Sequence, residues 1–331
     1  MANFSTLDKL DRKIIYELDL NSRIAASKLA RNLKVSREVV DYRIKRLIEN
    51  KYIRSFYTHI HSEKLGYTSY RVYFKIKGMD ENEEKKLIEY FCNHENVFWV
   101  VSCNGAYDLI IHLAEQDAYK FNEILQEFLQ RYDSYFISKD ITLVTRLYDF
   151  RKSFLSEKSV NYQNPVIYGL KKSFLEIDKK DAEILKLLSN NARIPVIEIA
   201  KRLNITSSAV IYRIRELEKK EVITGYSCTI NSPNLGLVYC KVFLTLNFGD
   251  KKKQQELYQY CLQHQNIIRI LYCIGHWDFE MDIMAESTSL FNELLKEMKK
   301  RFSEIIRNCE SAIITQSYKF DHFPGSYKAL K

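Results

Sequence analysis

The sequence predicts an α+β protein made of two tandem copies of one unit, each a basic helical segment followed by a mixed segment of order β-α-β-β-α-β. The first observation behind this is a repeat. LDKLDRKII near the start is echoed by IDKKDAEIL at an offset of 170 residues. The offset holds without a gap from Asp8/Asp178 through Arg23/Arg193, Arg43/Arg213, Gly66/Gly236, Gly105/Gly275 and Asn122/Asn292 to Tyr148/Tyr318. Roughly a quarter of the aligned positions are identical, the mark of a duplication. The second observation is a change of apolar period inside each copy, from helical spacing to alternation. The third is length, because 331 residues is about twice the ~150 of a comfortable single domain.

The boundaries that follow are a helical domain at 1–62, a βαββαβ domain at 63–150, a linker at 151–174, and the second pair at 175–231 and 232–331. The linker interrupts the periodicity and holds Pro165 and Gly169, so it is expected to cross the surface. Composition fits a soluble globular chain, with 46% hydrophobic and 28% charged residues. No apolar run reaches the roughly 18 residues of a membrane span, and MANFSTLDKLDRK lacks a secretory pattern. A cytoplasmic protein without membrane contact is expected. Seven cysteines with no C-x-x-C pair argue against a disulfide framework and against a zinc site of ordinary spacing. Neither metal nor cofactor is expected.

The net charge of +9 is concentrated. Residues 1–60 carry 13 Lys and Arg against 7 Asp and Glu, and residues 171–230 carry 12 against 8, leaving the rest near neutral. Two polyanion-binding modules would give this pattern, and so would two solvated helical faces.

In the first segment Asp8 caps a helix whose apolar face is Leu7, Leu10, Ile14, Ile15 and Leu18; copy two keeps that face except at Lys180. A short second helix (Leu29, Ala30, Leu33), a turn, and Ser36 as N-cap of a third helix make a helix-turn-helix, repeated with Thr206 as the cap. In the third helix Val40, Ile44 and Leu47 are buried, which turns Glu38, Asp41, Tyr42, Lys45 and Arg46 outward, flanked by Arg37 and Arg43. Such a face suits a DNA major groove, where Arg and Lys reach guanine or phosphate and a carboxylate accepts from cytosine. Arg43 and Arg213, beside the buried stripe, are expected to position the backbone rather than read bases. In copy two the outward residues are Ser208, Ile211, Tyr212, Arg215 and Glu216, flanked by Ser207 and Arg213, so the two heads should prefer different bases. Residues 53–60 read as an extended wing with Arg54 as a phosphate contact, matched by 223–230.

In the second segment Val72, Phe74 and Ile76 alternate with Arg71, Tyr73 and Lys75, a strand with one buried face. A helix near 82–94, a strand around Phe98–Ser102, a Gly105 turn, a strand through Leu109, Ile111 and Leu113, a helix with Phe121, Ile124 and Phe128, and a last strand from about Phe136 to Tyr148 complete a ferredoxin-like unit. In copy two Phe279, Met281 and Ile283 are expected to face inward and Glu280 and Asp282 outward. The open sheet faces are expected to pack on each other within one molecule. The hairpins Gly105-Ala106-Tyr107-Asp108 and Gly275-His276-Trp277-Asp278 read either as turns held by Gly and Asp or as the wall of a small-ligand pocket.

Together L-D-x-x-D, R-I, L-A-x-x-L-x-V-S, V-x-x-R-I-x-x-L and the G-x-Y-D hairpin resemble the leucine-responsive, or Lrp/AsnC, transcription regulators, over nearly the whole of each copy. The resemblance implies a winged helix-turn-helix joined to a βαββαβ ligand-sensing domain. It implies double-stranded DNA as partner, residence on the nucleoid, an amino acid or small metabolite as effector, and self-association through the sensing domains. It places Ser36, Arg37, Arg43, Thr206, Ser207 and Arg213 in the recognition helices, and Gly105, Tyr107, Asp108, Gly275, Trp277 and Asp278 near the effector. The chain departs from the pattern in being fused. It also has Lys34, Asn204, Lys51 and Glu221 where the family carries glycines, so non-glycine residues are expected in left-handed backbone there.

Two other functions compete. A branch of similar architecture decarboxylates sirohaem with a His- and Arg-containing segment, but VFWVVSCNGAYDLIIHL and IIRILYCIGHWDFEMDI share no such cluster, and His94/His264 is the only histidine pair common to both copies. No catalytic residue is assigned. A sensing or protein-interaction module that has lost DNA binding should also have lost the basic excess, which both heads retain.

Overall fold

The computed structural model describes residues 7–156, 165–169 and 174–323; half of the expected linker, 157–164 and 170–173, lies outside them. Copy one runs α1 (Lys9–Leu20), α2 (Ala26–Leu33), α3 (Arg37–Glu49), β1 (Ile53–Ile60), β2 (Thr68–Ile76), α4 (Glu81–Asn93), β3 (Val97–Gly105), β4 (Leu109–Glu115), α5 (Ala118–Tyr132) and β5 (Phe136–Asp149). A short strand β6 (Val166–Tyr168) follows. Copy two runs α6 (Lys179–Asn190), α7 (Val196–Leu203), α8 (Ser207–Lys219), β7 (Ile223–Ile230), β8 (Val238–Leu246), α9 (Lys251–Gln263), β9 (Ile267–Gly275), β10 (Phe279–Ala285), α10 (Thr288–Arg301) and β11 (Ile306–Phe320).

The strands expected as wings are extended and are joined to each other across the two copies. β1 pairs antiparallel with β7, its counterpart in the other copy, as a two-stranded ribbon. A lone strand leaves its backbone amides and carbonyls unsatisfied, and the matching strand of the other copy satisfies them. Tyr57 pairs with Ser227, the residue at its own position in the repeat, with Phe56 opposite Cys228 and Thr58 opposite Tyr226. The pairing is therefore symmetric about Tyr57 and Ser227, and one rotation carries each head onto the other.

Each head completes its core on the other copy. Ile14, Ile15 and Leu18 of α1 cluster with Cys228 and Ile230 of β7, while Ile184, Leu185 and Leu188 of α6 cluster with Ile60 of β1. Reciprocal hydrogen bonds tie the helix-to-helix turns: Arg23 Nη1 donates to the Ala192 carbonyl at 2.6 Å and Arg193 Nη1 to the Ser22 carbonyl at 2.6 Å.

The remaining strands follow the order β2-β4-β3-β11-β8-β10-β9-β5-β6, and β2 also pairs with β5. Eight strands thus form a closed ring without free edges, with β6 added to β5 by residues 166–168. The segment between the copies accordingly contributes a ladder and the buried Lys152, Ser153 and Leu155, where a plain surface crossing was expected. The seams of the ring fall at the hairpin glycines. Gly105 pairs with Ala312 and Gly275 with Thr142. A Cβ on Gly105 would come within 2.6 Å of the Ser311 carbonyl oxygen, and one on Gly275 within 2.3 Å of the Ile141 oxygen.

Closure corrects one expectation. The strands have two buried faces, one under the helices and one inside the ring. Arg71 and Tyr73 of β2 and Glu280 and Asp282 of β10, expected on an outer face, are buried, because the face opposite the helices lines the interior. There Glu280 accepts from Arg71 Nη1 at 2.8 Å and from Trp277 Nε1 at 3.1 Å. Lys241 lies 3.1 Å from Glu280 and 2.5 Å from Asp282, and Arg269 bridges Asp282 at 3.2 Å and Asp149 at 3.1 Å. Burial alone would raise the Asp282 carboxyl, but Lys241 and Arg269 hold it well below the ordinary carboxylate range.

The four replaced glycines behave as anticipated: Lys34, Lys51, Asn204 and Glu221 have φ of 57°, 55°, 50° and 54°. A Cβ in left-handed backbone costs about 1–2 kcal/mol, offset by about 0.4–1 kcal/mol of unfolded-state entropy that glycine adds. Lys34→Gly and Lys51→Gly are each expected to stabilise the chain by roughly 0.5–1 kcal/mol. Thermal unfolding checks this, and lower melting temperatures in both variants would refute it.

Candidate nucleic-acid interface and central cavity

α3 and α8 start at side-chain caps, with Val39 N donating to Ser36 Oγ at 3.3 Å and Ala209 N to Thr206 Oγ1 at 3.1 Å. Val40, Ile44 and Leu47, and Val210, Ile214 and Leu217, are buried. Arg37, Glu38, Asp41, Tyr42 and Lys45 are exposed in head one, and Ser208, Tyr212 and Arg215 in head two, with Ser207 half-buried. Tyr42 and Tyr212 are 64% and 65% exposed, large aromatic rings presented to solvent at equivalent positions. Arg37 reaches Asp41 at 3.3 Å and Lys45 reaches Glu49 at 3.7 Å. Exposed pairs of this kind are weak and do not hold the cations back from a polyanion.

Three arginines are engaged inside the heads. Arg43 bonds Asp8 and lies 3.0 Å from Asp11, and Arg46 also bonds Asp11. Arg213 lies 2.7 Å from both Asp178 and Asp181. Asp11 is buried in the first turn of α1, and an ionised carboxylate there requires cationic partners. These arginines therefore clamp the recognition helix to the first helix. Arg54 is exposed and its Nη2 donates to Asn231 Oδ1 at 3.1 Å, across the ribbon.

The hairpin residues close the ring. Tyr107 and Trp277 are buried with Tyr73 and Phe243, the Trp277 ring centroid 4.6 Å from Tyr73 and 4.5 Å from Phe243. Asp108 Oδ2 accepts from Ile76 N at 2.8 Å and Asp278 Oδ2 from Leu246 N at 2.7 Å. Each aspartate thus ties its hairpin to the end of the neighbouring strand.

Two cavities lie between the ribbon and the ring, of about 100 Å³ and about 90 Å³, and they share the walls Tyr57, Asp149, Arg269 and Phe320. The first is lined by Arg71, His112, Tyr168 and His322. Among the described residues, Arg71 Nε, Arg269 Nε and His322 Nε2 have no hydrogen-bond partner, nor has Nε2 of His59. His59 Nδ1 contacts the Tyr168 hydroxyl, and the His322 ring stacks on Tyr57 at 3.8 Å. Burial, and then nearby Arg and Lys side chains, hold His59 and His112 neutral well below the usual imidazole range. Burial and the neighbouring His59 do the same for His322. His61 is lowered to about 4, by burial and by Lys64.

An AsnC-type helix-turn-helix domain matches residues 7–48, and a winged helix-turn-helix DNA-binding domain matches residues 177–224. The HTH-type transcriptional regulator LrpA of Pyrococcus horikoshii is 39% identical over 98 residues, 29% of this chain and 66% of that protein. LrpB of Bacillus subtilis is 27% identical over 127 residues, 38% of this chain and 83% of that protein.

The chain belongs to the Lrp/AsnC family.

Each of these relatives covers less than half of this Lrp/AsnC chain, as a duplicated unit requires. Over nearly the full length the fold matches the solved siroheme decarboxylase NirDL, covering 96% of this chain and 94% of that one with a TM-score of 0.63 and 13% identity. At that identity the likeness concerns the fold. The histidine-arginine cavity escapes a search for residues shared by both copies, because His59, His61, His112 and His322 have Thr229, Asn231, Asp282 and Lys152 as counterparts. The available signal was the opposite one, histidines present in only one copy.

The lowered histidines set a pH dependence. An unfolded histidine binds its proton near about 6.5, whereas these stay neutral in the fold. The unfolded chain therefore binds more protons below that point, and stability falls as pH drops through it. Melting temperature is expected to decline from about pH 6.5 towards pH 4, where His61 protonates at about 4. A flat profile between these limits would contradict the neutral, buried assignment.

Proposed function

We propose that this chain is a sequence-specific DNA-binding transcriptional regulator of the Lrp/AsnC type in which one polypeptide does the work of a dimer. The observation that carries the reading is the ribbon register, Tyr57 opposite Ser227. The rotation that superposes β1 on β7 relates α3 to α8, so two reading helices are presented about one axis, the arrangement that matches a quasi-palindromic site. The helices differ at the outward positions, Glu38/Ser208, Asp41/Ile211 and Lys45/Arg215, and the two half-sites should be unlike. Modulation by a small metabolite, further self-association through the sensing domains and residence on the nucleoid belong to the same reading.

The likeness to NirDL, also solved with an iron-uroporphyrin III analogue, raises an enzymatic alternative. The donors around the central cavity suit carboxylates, but cavities of about 90 and 100 Å³ fall below the roughly 300–1,000 Å³ of sites that take drug-sized ligands. We assign no reaction.

The DNA face yields a direct test. Arg37→Ala with Lys45→Ala removes two exposed cations and leaves the Asp11 clamp intact. Binding should weaken, and the slope of log affinity against log salt should fall by about 2, near 0.9 for each phosphate that is no longer neutralised. Selection from random duplex DNA should enrich a motif with unlike arms. Unchanged affinity and slope in the double variant would remove head one as an anchor.

A further inference from the structure

The two cavities between ribbon and ring are related by the repeat. Ile60, Ser62, Ser69 and Phe98 of one correspond to Ile230, Ser232, Tyr239 and Ile268 of the other. Duplication would have given them the same chemistry, yet they have diverged. In the second cavity the polar side chains are mostly satisfied from within: Lys152 pairs with Asp19, the Tyr239 hydroxyl donates to Asp282 at 2.8 Å, and Arg54 reaches Asn231. Thr229 Oγ1 lacks a partner there, and Arg269, whose Nε is also unpartnered, lines both cavities, but Arg71 and His322 line the first alone.

The first cavity is different. Arg71 uses Nη1 on Glu280 at 2.8 Å, and Arg269 uses its terminal nitrogens on Asp282 and Asp149. Both keep a buried Nε without a partner, and an arginine Nε–H can only donate. His322 adds an unpartnered Nε2 on the same wall. A buried donor left unmet forfeits its hydration with nothing in return, so the site favours an acceptor that meets it. Of the lining carboxylates, Asp149 is paired with Arg269 and Asp321 with Lys319 at 3.5 Å, while Glu63 lies 3.7 Å from the neutral His61. The remaining walls include Ile60, Phe98, Val144 and Leu147, an apolar sleeve beside a group of donors.

We propose that the first cavity binds one small carboxylate-bearing metabolite per chain, its oxygens taken by Arg71 Nε, Arg269 Nε and His322 Nε2 and its short aliphatic body lying against the apolar wall. A volume of about 100 Å³ admits a molecule of a few heavy atoms. The second cavity, with its polar groups largely satisfied, takes none, so the stoichiometry is one.

The chain itself provides the reporter. It has two tryptophans, and the Arg71 guanidinium lies 5.4 Å from the Trp99 ring centroid. Fluorescence titration of the full-length protein without DNA, with butyrate, succinate and inorganic phosphate as probes, should show saturable binding of butyrate or succinate at one per chain by calorimetry. Arg71→Lys keeps a cation for Glu280 but removes the Nε donor. That variant and His322→Ala should each weaken binding by about tenfold, with Thr229→Val unchanged. If Arg71→Lys fails to fold, His322→Ala carries the test alone. Phosphate bound in place of the carboxylates would overturn the ligand class. Two sites per chain, wild-type affinity in the folded variants, or no saturable response to either carboxylate would overturn the site. Because DNA is absent, none of these outcomes bears on the regulator reading.

Discussion

The pairing of β1 with β7 is the constraint on which the rest of the molecule depends. Each copy has one strand between its head and its sheet, and that strand meets its hydrogen bonds on its repeat equivalent, not within its own copy. Once Tyr57 faces Ser227, α1 must rest on β7 and α6 on β1, and each head core becomes a joint product of both copies. The reciprocal Arg23 and Arg193 bonds to the opposite turns lock the same rotation at the periphery. Neither head is a free-standing three-helix unit, because Cys228 and Ile230 are part of the first and Ile60 and Phe98 of the second.

The ring applies the same logic to the sheets. A βαββαβ sheet with helices on one side has an uncovered face and two edges, and both problems are met when β5 continues onto β9 and β11 onto β3. The close backbone approach at those seams leaves no room for a side chain, which is why glycine stands at positions 105 and 275. The Gly-x-x-Asp hairpin, legible as turn or pocket wall, has the turn geometry: the glycine permits the crossing and the aspartate fastens the hairpin to β2 or β8.

Much of this was legible in the sequence because it depended on local pattern. The caps at Ser36 and Thr206, the buried stripe Val40-Ile44-Leu47 and the β-α-β-β-α-β succession follow from spacing and residue type, and the left-handed backbone at Lys34 and Lys51 from the resemblance. Contacts between copies were less accessible. Arg71 alternates with Val72 as a solvent-facing residue would, and only the closed ring makes its side of β2 an interior. Arg43 and Arg46 read as DNA contacts by helix phase alone. Their commitment to Asp11 arises because α1 crosses α3 there, a packing relation that periodicity does not encode. The cavity was hidden for a related reason, since its donors come from β2, β9 and the end of β11 and do not recur in the repeat.

Fusion explains how that asymmetry can persist. In a homodimer every substitution appears twice, so a carboxylate introduced into the ring interior would arrive as a pair across the axis. Two like charges in a low-dielectric space repel strongly and would each require separate compensation. In this chain Glu280 has Ile110 as its counterpart and Asp282 has His112. One carboxylate, Glu280, is shared by Arg71 from copy one at 2.8 Å and Lys241 from copy two at 3.1 Å. Arg71 and Lys241 kept a basic residue on both sides, while at the β4 and β10 positions the carboxylates Glu280 and Asp282 stand in copy two only, which leaves copy one free to carry Ile110 and His112 there. A covalent pseudo-dimer can thus divide labour between halves that a homodimer must keep identical, in its reading helices as well as in its interior.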